Sequence, residues 1–318
     1  MAFIVTPGTR EANNGNWRTA RRWADFLAGM AKPIVQSEWS GEPADVVIAL
    51  HARRSAASIA RLRAERPQVP IILVLSGTDL YRDLPGSVEA VRSLALADRI
   101  VALQDDALAH VPREHRGKCE VIYQSAAKLA RARKARARLD CVIVGHLREE
   151  KDPRTLWNAL RLLDPQLPIR IRHIGSALDP SLGRLARATM ARDPRYRWTG
   201  ALPHGLTRCA IRDAHLLVHP SIMEGGANVI VEAATAGTPT IASRVSGNVG
   251  MLGGNYPGYF EVGDAAGLAQ LLASCLADAE VLARLRACCD ERARLCAPAR
   301  ERQALRRLVT AMLGGVRG

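Results

Sequence analysis

Residues 216–237 of the chain read LLVHPSIMEGGANVIVEAATAG, and this stretch points to the fold. The apolar run 216–218 predicts a strand, residues 219–221 a turn, and the remainder a helix. Such a strand, glycine turn and helix start direct backbone N–H groups and the helix dipole at an anion. We expect Glu224 and Glu232 on nearby faces of that helix, one at its mouth and one two turns inside. Backbone N–H donors for a phosphate, beside two carboxylates, suit a nucleotide sugar, which carries phosphates and many hydroxyls.

Short β-type runs alternate with helical patterns along the whole chain. Continuous apolar strands separated by amphipathic helices are typical of parallel sheets covered on both faces. The pattern predicts an α/β protein of two Rossmann-like, doubly wound domains with an interdomain cleft, whose ligands bind beyond the carboxyl ends of the strands. The predicted strands are 2–6, 34–36, 46–50, 71–75, 99–103, 121–123, 141–144, 169–174, 196–198, 216–219, 240–242 and 259–262.

The clearest domain boundary is AAKLARARKARARL, residues 126–139. It is low in complexity, strongly basic and free of β-branched residues, which indicates a solvated linker or a short exposed helix. We therefore expect an N-terminal domain at 1–125 and a C-terminal domain at 140–297. Residues 298–318 are expected to form a last helix that crosses back to the N-terminal domain.

Composition narrows the functional class. The 318 residues carry a net charge of +14, but basic residues are scattered and aromatic residues make up 4%, so we expect anion binding rather than nucleic-acid binding. Seven cysteines without a C-x-x-C spacing argue against a disulfide framework or a zinc site. No apolar run reaches the roughly 18 residues that span a membrane. The first strand starts at Ala2 with no signal peptide before it, so we expect a cytoplasmic protein without membrane contact.

Two more loops of the second half carry candidate ligand-binding residues. In GHLREEK, residues 145–151, two basic residues are suited to hold a diphosphate. Arg148 offers two parallel N–H donors of its guanidinium, and Lys151 offers a point charge. Basic residues at a helix start oppose its dipole, which favours an anion partner there. SGNVG, residues 246–250, is a glycine-bracketed turn where backbone can approach a ligand closely, although an ordinary turn has the same pattern.

The second half resembles GT-B glycosyltransferases of the glycosyltransferase 4 type. The matching pieces are GHL…K in 145–151, PS…EGG…EA…AGTP in 220–239 and AS…GN in 242–248. The resemblance implies that Glu232 binds the nucleotide ribose and that Glu224, a catalytic candidate, lies beside the donor sugar. It also implies that the basic pair of the 145–151 loop binds the diphosphate.

This sequence departs from the family pattern at two places. His146 stands where the family usually has Arg, and Gly226-Ala227-Asn228 replaces an aromatic-Gly-apolar turn. Contacts with the sugar are therefore expected to differ. The donor-binding residues that the resemblance implies are Glu232, Gly225, Gly226, Ala227, Asn228, His146, Gly247 and Asn248.

Strings in the first half extend the resemblance to nearly the full chain. They are NNGNWRT at 13–19, DVVIALHARRS at 45–55, LSGTDLYRD at 75–83 and IYQS at 122–125. With GHLR and MEGGAN they resemble the selenosugar synthases of selenoneine biosynthesis. The resemblance implies that a UDP-sugar, typically UDP-N-acetylglucosamine, reacts with selenophosphate to form a C–Se bond. The products would be a 1-selenosugar, UDP and phosphate, with no cofactor or metal, and the selenosugar would pass to a downstream selenium-transfer enzyme.

Selenophosphate is a small, multiply charged anion, so its site needs cations and N–H donors. Selenium is soft and already anionic, so the main catalytic demand is to stabilise the UDP leaving group, which falls to Arg148 and Lys151. His51 and Asp79 are further catalytic candidates, for positioning or for dephosphorylation, although His51 fits a hydrogen-bonded strand-end histidine equally well. The predicted acceptor-binding residues are Asn14, Gly15, Asn16, Arg18, Arg53, Arg54, Gly77 and Thr78.

Two other functions remain open from the sequence. An ordinary GT-B enzyme would transfer a sugar to a hydroxyl or lipid acceptor. A protein of another class would bind a nucleotide sugar or nucleic acid without catalysis. The glutamate pair together with Lys151 argues against mere binding.

Overall fold

The computed structural model describes residues 1–8, 15–134 and 137–314 of the chain. By their contacts the residues divide into two compact units. The first consists of Met1–Ser125, Glu224–Ala227 and Cys296–Gly318, and the second of Ala126–Met223 and Asn228–Leu295. Each unit contains one six-stranded sheet.

The first unit is built on a parallel sheet in the spatial order β2-β1-β3-β4-β5-β6. The strands are β1 Ala2–Val5, β2 Pro33–Gln36, β3 Val46–Leu50, β4 Ile71–Val74, β5 Arg99–Ala102 and β6 Cys119–Val121. The helices are α1 Gly15–Leu27, α2 Ala56–Glu65 and α3 Val88–Leu96. Shorter pieces are a π-helical turn at Asp79–Asp83 and 3₁₀ turns at Asp105–His110 and Arg113–Lys118.

Both faces of the first sheet are covered. Phe3 and Val5 belong to one apolar cluster, and Ala2 and Ile4 to the other, because successive strand residues point to opposite faces. The C-terminal segment contributes to the second cluster through Leu305 of α11 (Pro298–Gly314). Burial on two faces explains why these strands read as continuous apolar runs.

A buried carboxylate fixes α11 within the first unit. Glu301 is 2% exposed and accepts hydrogen bonds from Arg22 Nε at 2.8 Å, Trp23 Nε1 at 2.7 Å and Ser125 Oγ at 2.5 Å. A buried charge is tolerated only when paired and fully hydrogen-bonded, and this one is both. The sequence contained no motif for it.

The second unit has a parallel sheet in the order β12-β11-β10-β7-β8-β9. Its strands are β7 Leu139–Val144, β8 Ile169–Ile174, β9 Tyr196–Trp198, β10 Leu216–His219, β11 Thr240–Ser243 and β12 Tyr259–Phe260. Its helices are α4 Pro153–Leu162, α5 Pro180–Arg192, α6 His204–Asp213, α7 Asn228–Ala236, α8 Ser246–Leu252, α9 Ala265–Ala277 and α10 Ala279–Ala293. A 3₁₀ turn spans Glu149–Lys151.

The structure confirms the α/β class, the two Rossmann-like domains and all twelve predicted strands, with ends that shift by one to two residues. Helix α7 begins at Asn228, so Glu224 precedes it by four residues. The prediction that both glutamates lie on this helix was therefore wrong. By contact, Glu224–Ala227 also group with the first unit, whereas the sequence put them in the domain 140–297.

Among the described residues, no single helix is long and apolar enough to cross a membrane. One bent pair, Ala265–Ala277 with Ala279–Gly314, meets the criteria of length and composition together.

Candidate functional site

The loop that follows β7 in the second unit is held by a buried histidine. His173 Nε2 lies 3.1 Å from the carbonyl oxygen of Gly145, and its Nδ1 lies 2.8 Å from Tyr196 Oη. His146 Nδ1 accepts a hydrogen bond from the backbone N of Ser176 at 3.1 Å. Gly175 is required because a Cβ there would lie 2.0 Å from the Gly145 oxygen. These contacts therefore hold the first two residues of the loop, Gly145 and His146, in place.

His173 makes the loop sensitive to acid. Burial lowers the pKa of His173 from 6.5 to about 4, against the opposing hydrogen bond to Gly145. The unfolded chain thus takes up a proton that the folded chain refuses, so stability falls as the pH drops from 6.5 towards 4. We expect the free energy of unfolding to lose about 2 kcal/mol through this group between about pH 7 and about pH 5.

Urea unfolding of the wild type and of His173→Gln at both pH values measures that loss. The variant should lack this part of the pH dependence. His110→Gln, which replaces an exposed histidine, is the matched control and should keep it. Equal pH dependence in wild type and His173→Gln would contradict the assignment.

The basic pair of the loop lies on one short turn. Arg148 precedes the 3₁₀ turn Glu149–Lys151, is 43% exposed, and its Nε is 3.9 Å from Glu150 Oε2. Lys151 is partly buried and packs on Gly145, where a Cβ would lie 3.3 Å from its Cγ. Among the described residues, Arg148 Nε donates no hydrogen bond within the protein. The side chain as a whole is partly exposed, so its guanidinium can meet an anion.

Glu232 is the fifth residue of α7 and is almost fully buried. Its Oε1 lies 2.7 Å from Nε2 of His204, a half-exposed residue at the start of α6. The histidine orients the carboxylate and compensates its burial. His204 was missed from the sequence because only the packing of α6 beside α7 brings it to Glu232.

The third predicted loop is not a turn. Residues 246–250 open α8, and Asn248 is fully buried, with Nδ2 donating to Ser243 O at 2.9 Å. Gly247 is buried in the same helix. The amide of Asn248 thus holds the end of β11.

In the first unit, β3 ends in an unusual histidine. His51 has φ +77°, and its Nδ1 lies 2.5 Å from Asp79 Oδ1. Asp79 Oδ2 accepts from the backbone N of Ser76 at 2.8 Å. His51 is 1% exposed and Asp79 0%. The two catalytic candidates are thus brought into direct contact by the fold.

The other ring nitrogen of His51 faces polar groups as well. Nε2 lies 3.0 Å from Thr78 Oγ1 and 3.7 Å from Asp83 Oδ2, and Arg53 Nε lies 2.9 Å from the same Asp83 oxygen. Burial tends to raise the pKa of Asp83, but pairing with Arg53, assisted by His51, holds the pKa below its ordinary value. The predicted acceptor residue Arg53 therefore already neutralises a carboxylate.

His51, Asp79 and Asp83 offer ligand atoms that all lie within 4.8 Å of one another, close enough for one cation. The charges do not suit a cation, however. Arg53 already lies on Asp83, and the Nδ1 of His51 lies on Asp79. A metal ion would have to displace the Arg53 guanidinium from Asp83, so we interpret the group as a cluster of buried ion-pair contacts.

Two glycines explain why Glu224 groups with the first unit. A Cβ on Gly77 would lie 2.4 Å from the backbone N of Gly225, and a Cβ on Gly225 would lie 2.3 Å from the backbone N of Gly77. A Cβ on Gly226 would lie 2.7 Å from Leu103 Cβ. The backbone of segment 224–227 therefore packs against the backbone of the 76–79 turn. This contact places Glu224 beside the turn that carries Thr78 and Asp79.

The remaining acceptor candidates lie around the start of α1 and after β3. Gly15 is exposed at the first position of α1, while Asn16 and Arg18 are partly buried. Arg54 is exposed. Asn14 lies outside the described residues. Each of these four described residues is thus at least partly exposed to solvent.

Comparison with known proteins defines the fold. Residues 138–278 match the family model described as Glycosyl transferases group 1. No curated protein sequence matches the chain significantly. The matched region, residues 138–278, runs from β7 to α9 and includes Arg148, Lys151 and Glu232.

Solved structures are similar over nearly the whole chain. HepE of Anabaena in complex with UDP has a TM-score of 0.75 at 14% identity and covers 98% of this chain and 99% of its own. Sucrose-phosphate synthase from Thermosynechococcus elongatus has 0.79 at 17% identity, covering 99% of each. A glycosyltransferase from Rickettsia africae has 0.74 at 13% identity, covering 98% of each. The fold is that of the GT-B glycosyltransferases, as predicted.

Proposed function

We propose that the protein is a glycosyltransferase that transfers the sugar of a UDP-sugar to selenophosphate and forms a C–Se bond. By the resemblance in the sequence the donor is UDP-N-acetylglucosamine, and the products are a 1-selenosugar, UDP and phosphate. The observation that carries the transferase part is a second unit that matches group 1 glycosyltransferases and holds a basic turn and a buried helix carboxylate. HepE, which shares the fold, is known in complex with UDP and with UDP-glucose.

The donor half works by binding and charge stabilisation. Glu232, oriented by His204, accepts hydrogen bonds from the ribose hydroxyls. Arg148 and Lys151 hold the diphosphate and neutralise the charge that develops as the bond to the sugar breaks. The first turn of α7 at Asn228 presents backbone N–H groups to the same phosphates.

The acceptor half suits a small anion. Arg18 and Arg54 supply cations, and the exposed start of α1 at Gly15 supplies N–H donors. Selenium carries negative charge and attacks the anomeric carbon without loss of a proton, while UDP leaves with the electron pair. The resemblance to the glycosyltransferase 4 type implies retention, whereas attack by free selenophosphate from the face opposite UDP gives inversion, which we propose for this acceptor.

Transfer to a hydroxyl acceptor is the second candidate, and one observation favours it. A hydroxyl must lose its proton as it attacks, and the buried pair of His51 and Asp79 is of the kind that accepts such a proton. Selenophosphate does not need this help in the glycosyl step.

One assay separates these functions. The protein is incubated with UDP-N-acetylglucosamine, with and without selenophosphate, and UDP release and product mass are followed. We expect UDP release that depends on selenophosphate, and a selenium-containing sugar. UDP release that depends only on a hydroxyl acceptor would favour the second candidate. Binding of the UDP-sugar without any release of UDP would refute both candidates.

A further inference from the structure

The close contacts of His51 link a buried carboxylate to a partly exposed hydroxyl. Asp79 lies 2.5 Å from Nδ1 and Thr78 Oγ1 lies 3.0 Å from Nε2. Asp79 and His51 are fully buried, whereas Thr78 is partly exposed. A ligand therefore meets Thr78, and the imidazole acts through it.

The distances set the positions of the protons. Two lone pairs at 2.5 Å would repel, so the close contact between Nδ1 and Asp79 Oδ1 favours the tautomer with the proton on Nδ1. The backbone N of Arg54 is 3.3 Å from the same Nδ1, a longer and weaker contact. In that tautomer Nε2 accepts from the Thr78 hydroxyl. A hydroxyl, an imidazole and a carboxylate in this order are the arrangement that activates an oxygen for proton transfer.

The backbone here is held in strained forms. His51 has φ +77°, in the left-handed region that favours glycine, and Asp79 begins a π-helical turn. A left-handed φ at a non-glycine residue is strained, and both such residues and π-helical turns are concentrated at functional sites. The strained φ at His51 is part of what turns its ring towards both Asp79 and Thr78, a geometry that a relaxed strand end would not provide.

We propose that Asp79, His51 and Thr78 are a proton relay that activates the water that removes phosphate after C–Se bond formation. The inference rests on the proposed function, in which selenium is anionic and water is the nucleophile that must lose a proton. Water adds to phosphorus and the P–Se bond breaks, with its electron pair going to selenium. The water proton passes to Thr78 Oγ1 while the Thr78 proton passes to His51 Nε2. The reverse transfer gives one proton to the selenolate, so the products are a selenol and hydrogen phosphate.

The test compares the rates of UDP and phosphate release in one sample of Thr78→Val. This variant keeps the shape of the side chain and removes the hydroxyl. We expect phosphate release to slow by about 10²-fold relative to UDP release, because that is the usual size of a general-base contribution. UDP release reports any separate effect on acceptor binding, since Thr78 is also a predicted acceptor-binding residue. A Se-phosphorylated sugar should accumulate, and mass spectrometry detects it. Thr78→Ser restores the hydroxyl and should restore phosphate release.

Each other outcome is decisive. Continued UDP release shows that the variant is folded and that the glycosyl step survives. Equal slowing of UDP and phosphate release, or no slowing of either, overturns the relay. If phosphate release does not recover in Thr78→Ser, the relay is also overturned, because serine keeps the hydroxyl on which the relay depends. Thr310→Val, on an exposed face of α11, is the matched control and should behave as wild type. Absence of selenophosphate-dependent UDP release in the wild type refutes the proposed function instead.

Discussion

Arg148→Ala is expected to lower the kcat for UDP release by about 10²-fold, or about 3 kcal/mol in transition-state stabilisation. The reason is that Arg148 has a guanidinium nitrogen with no hydrogen-bond acceptor among the described residues and lies on the turn that the proposed diphosphate contacts. Negative charge on the diphosphate grows as UDP leaves, so the loss should fall on kcat more than on KM. Steady-state kinetics with varied UDP-sugar measures both constants.

Arg154→Ala is the matched control for this experiment. Arg154 is on the first turn of α4, is 46% exposed and lies 3.7 Å from Glu149. The substitution therefore removes the same charge as Arg148→Ala, but from the neighbouring turn. It should keep kcat within about threefold of wild type because an exposed ion pair contributes little. Equal losses in both variants would show a general field effect and contradict a diphosphate contact by Arg148.

Gly77→Ala is expected to abolish most of the activity and to destabilise the first unit. The new methyl group would lie 2.4 Å from Gly225 N and 2.7 Å from Glu224 C, and neither backbone atom can rotate away. Overpacking of this kind costs about 1–3 kcal/mol, and relief requires that the 224–227 segment move away from Thr78 and Asp79. Thermal unfolding and the rate of UDP release measure the two effects.

Gly117→Ala is the control, because nothing lies within 4 Å of a Cβ at that position in the same unit. It should leave melting temperature and activity unchanged. Gly225→Ala meets the same contact from the other side, at 2.3 Å from Gly77 N. The double variant should therefore cost less than the sum of the single ones, since one displacement relieves both clashes. Strict additivity would show that the two glycines do not share a contact.

Much of the fold could be predicted because apolar strands and amphipathic helices report their own periodicity. Val46–Leu50 and Ile169–Ile174 were placed correctly to the residue, since each is an uninterrupted apolar or alternating run. The start of α7 was misplaced because GGAN permits both a turn and a helix. Only its packing decides that the helix begins at Asn228.

The candidate site was predictable in part. His51 and Asp79 were singled out as titratable residues after strands, and the structure brings them to 2.5 Å. His173, His204 and Glu301 were not, because each contacts residues 23 or more positions away and belongs to no local pattern. Their partners are known only once the sheets and helices are assembled.

The sequence by itself determined the α/β class, two parallel sheets, the loops that carry Arg148, Lys151 and His51, and a helix that carries Glu232, because hydrophobic period and turn chemistry are local properties. The tertiary structure alone decided that Glu224 joins the 76–79 turn, that Arg53 is already paired with Asp83, and that Thr78 is the exposed end of a buried histidine–carboxylate pair. These depend on contacts of less than 4 Å between residues far apart in the chain. No periodicity encodes such contacts, since they arise between side chains, or between glycine backbones, that only the assembled fold brings together.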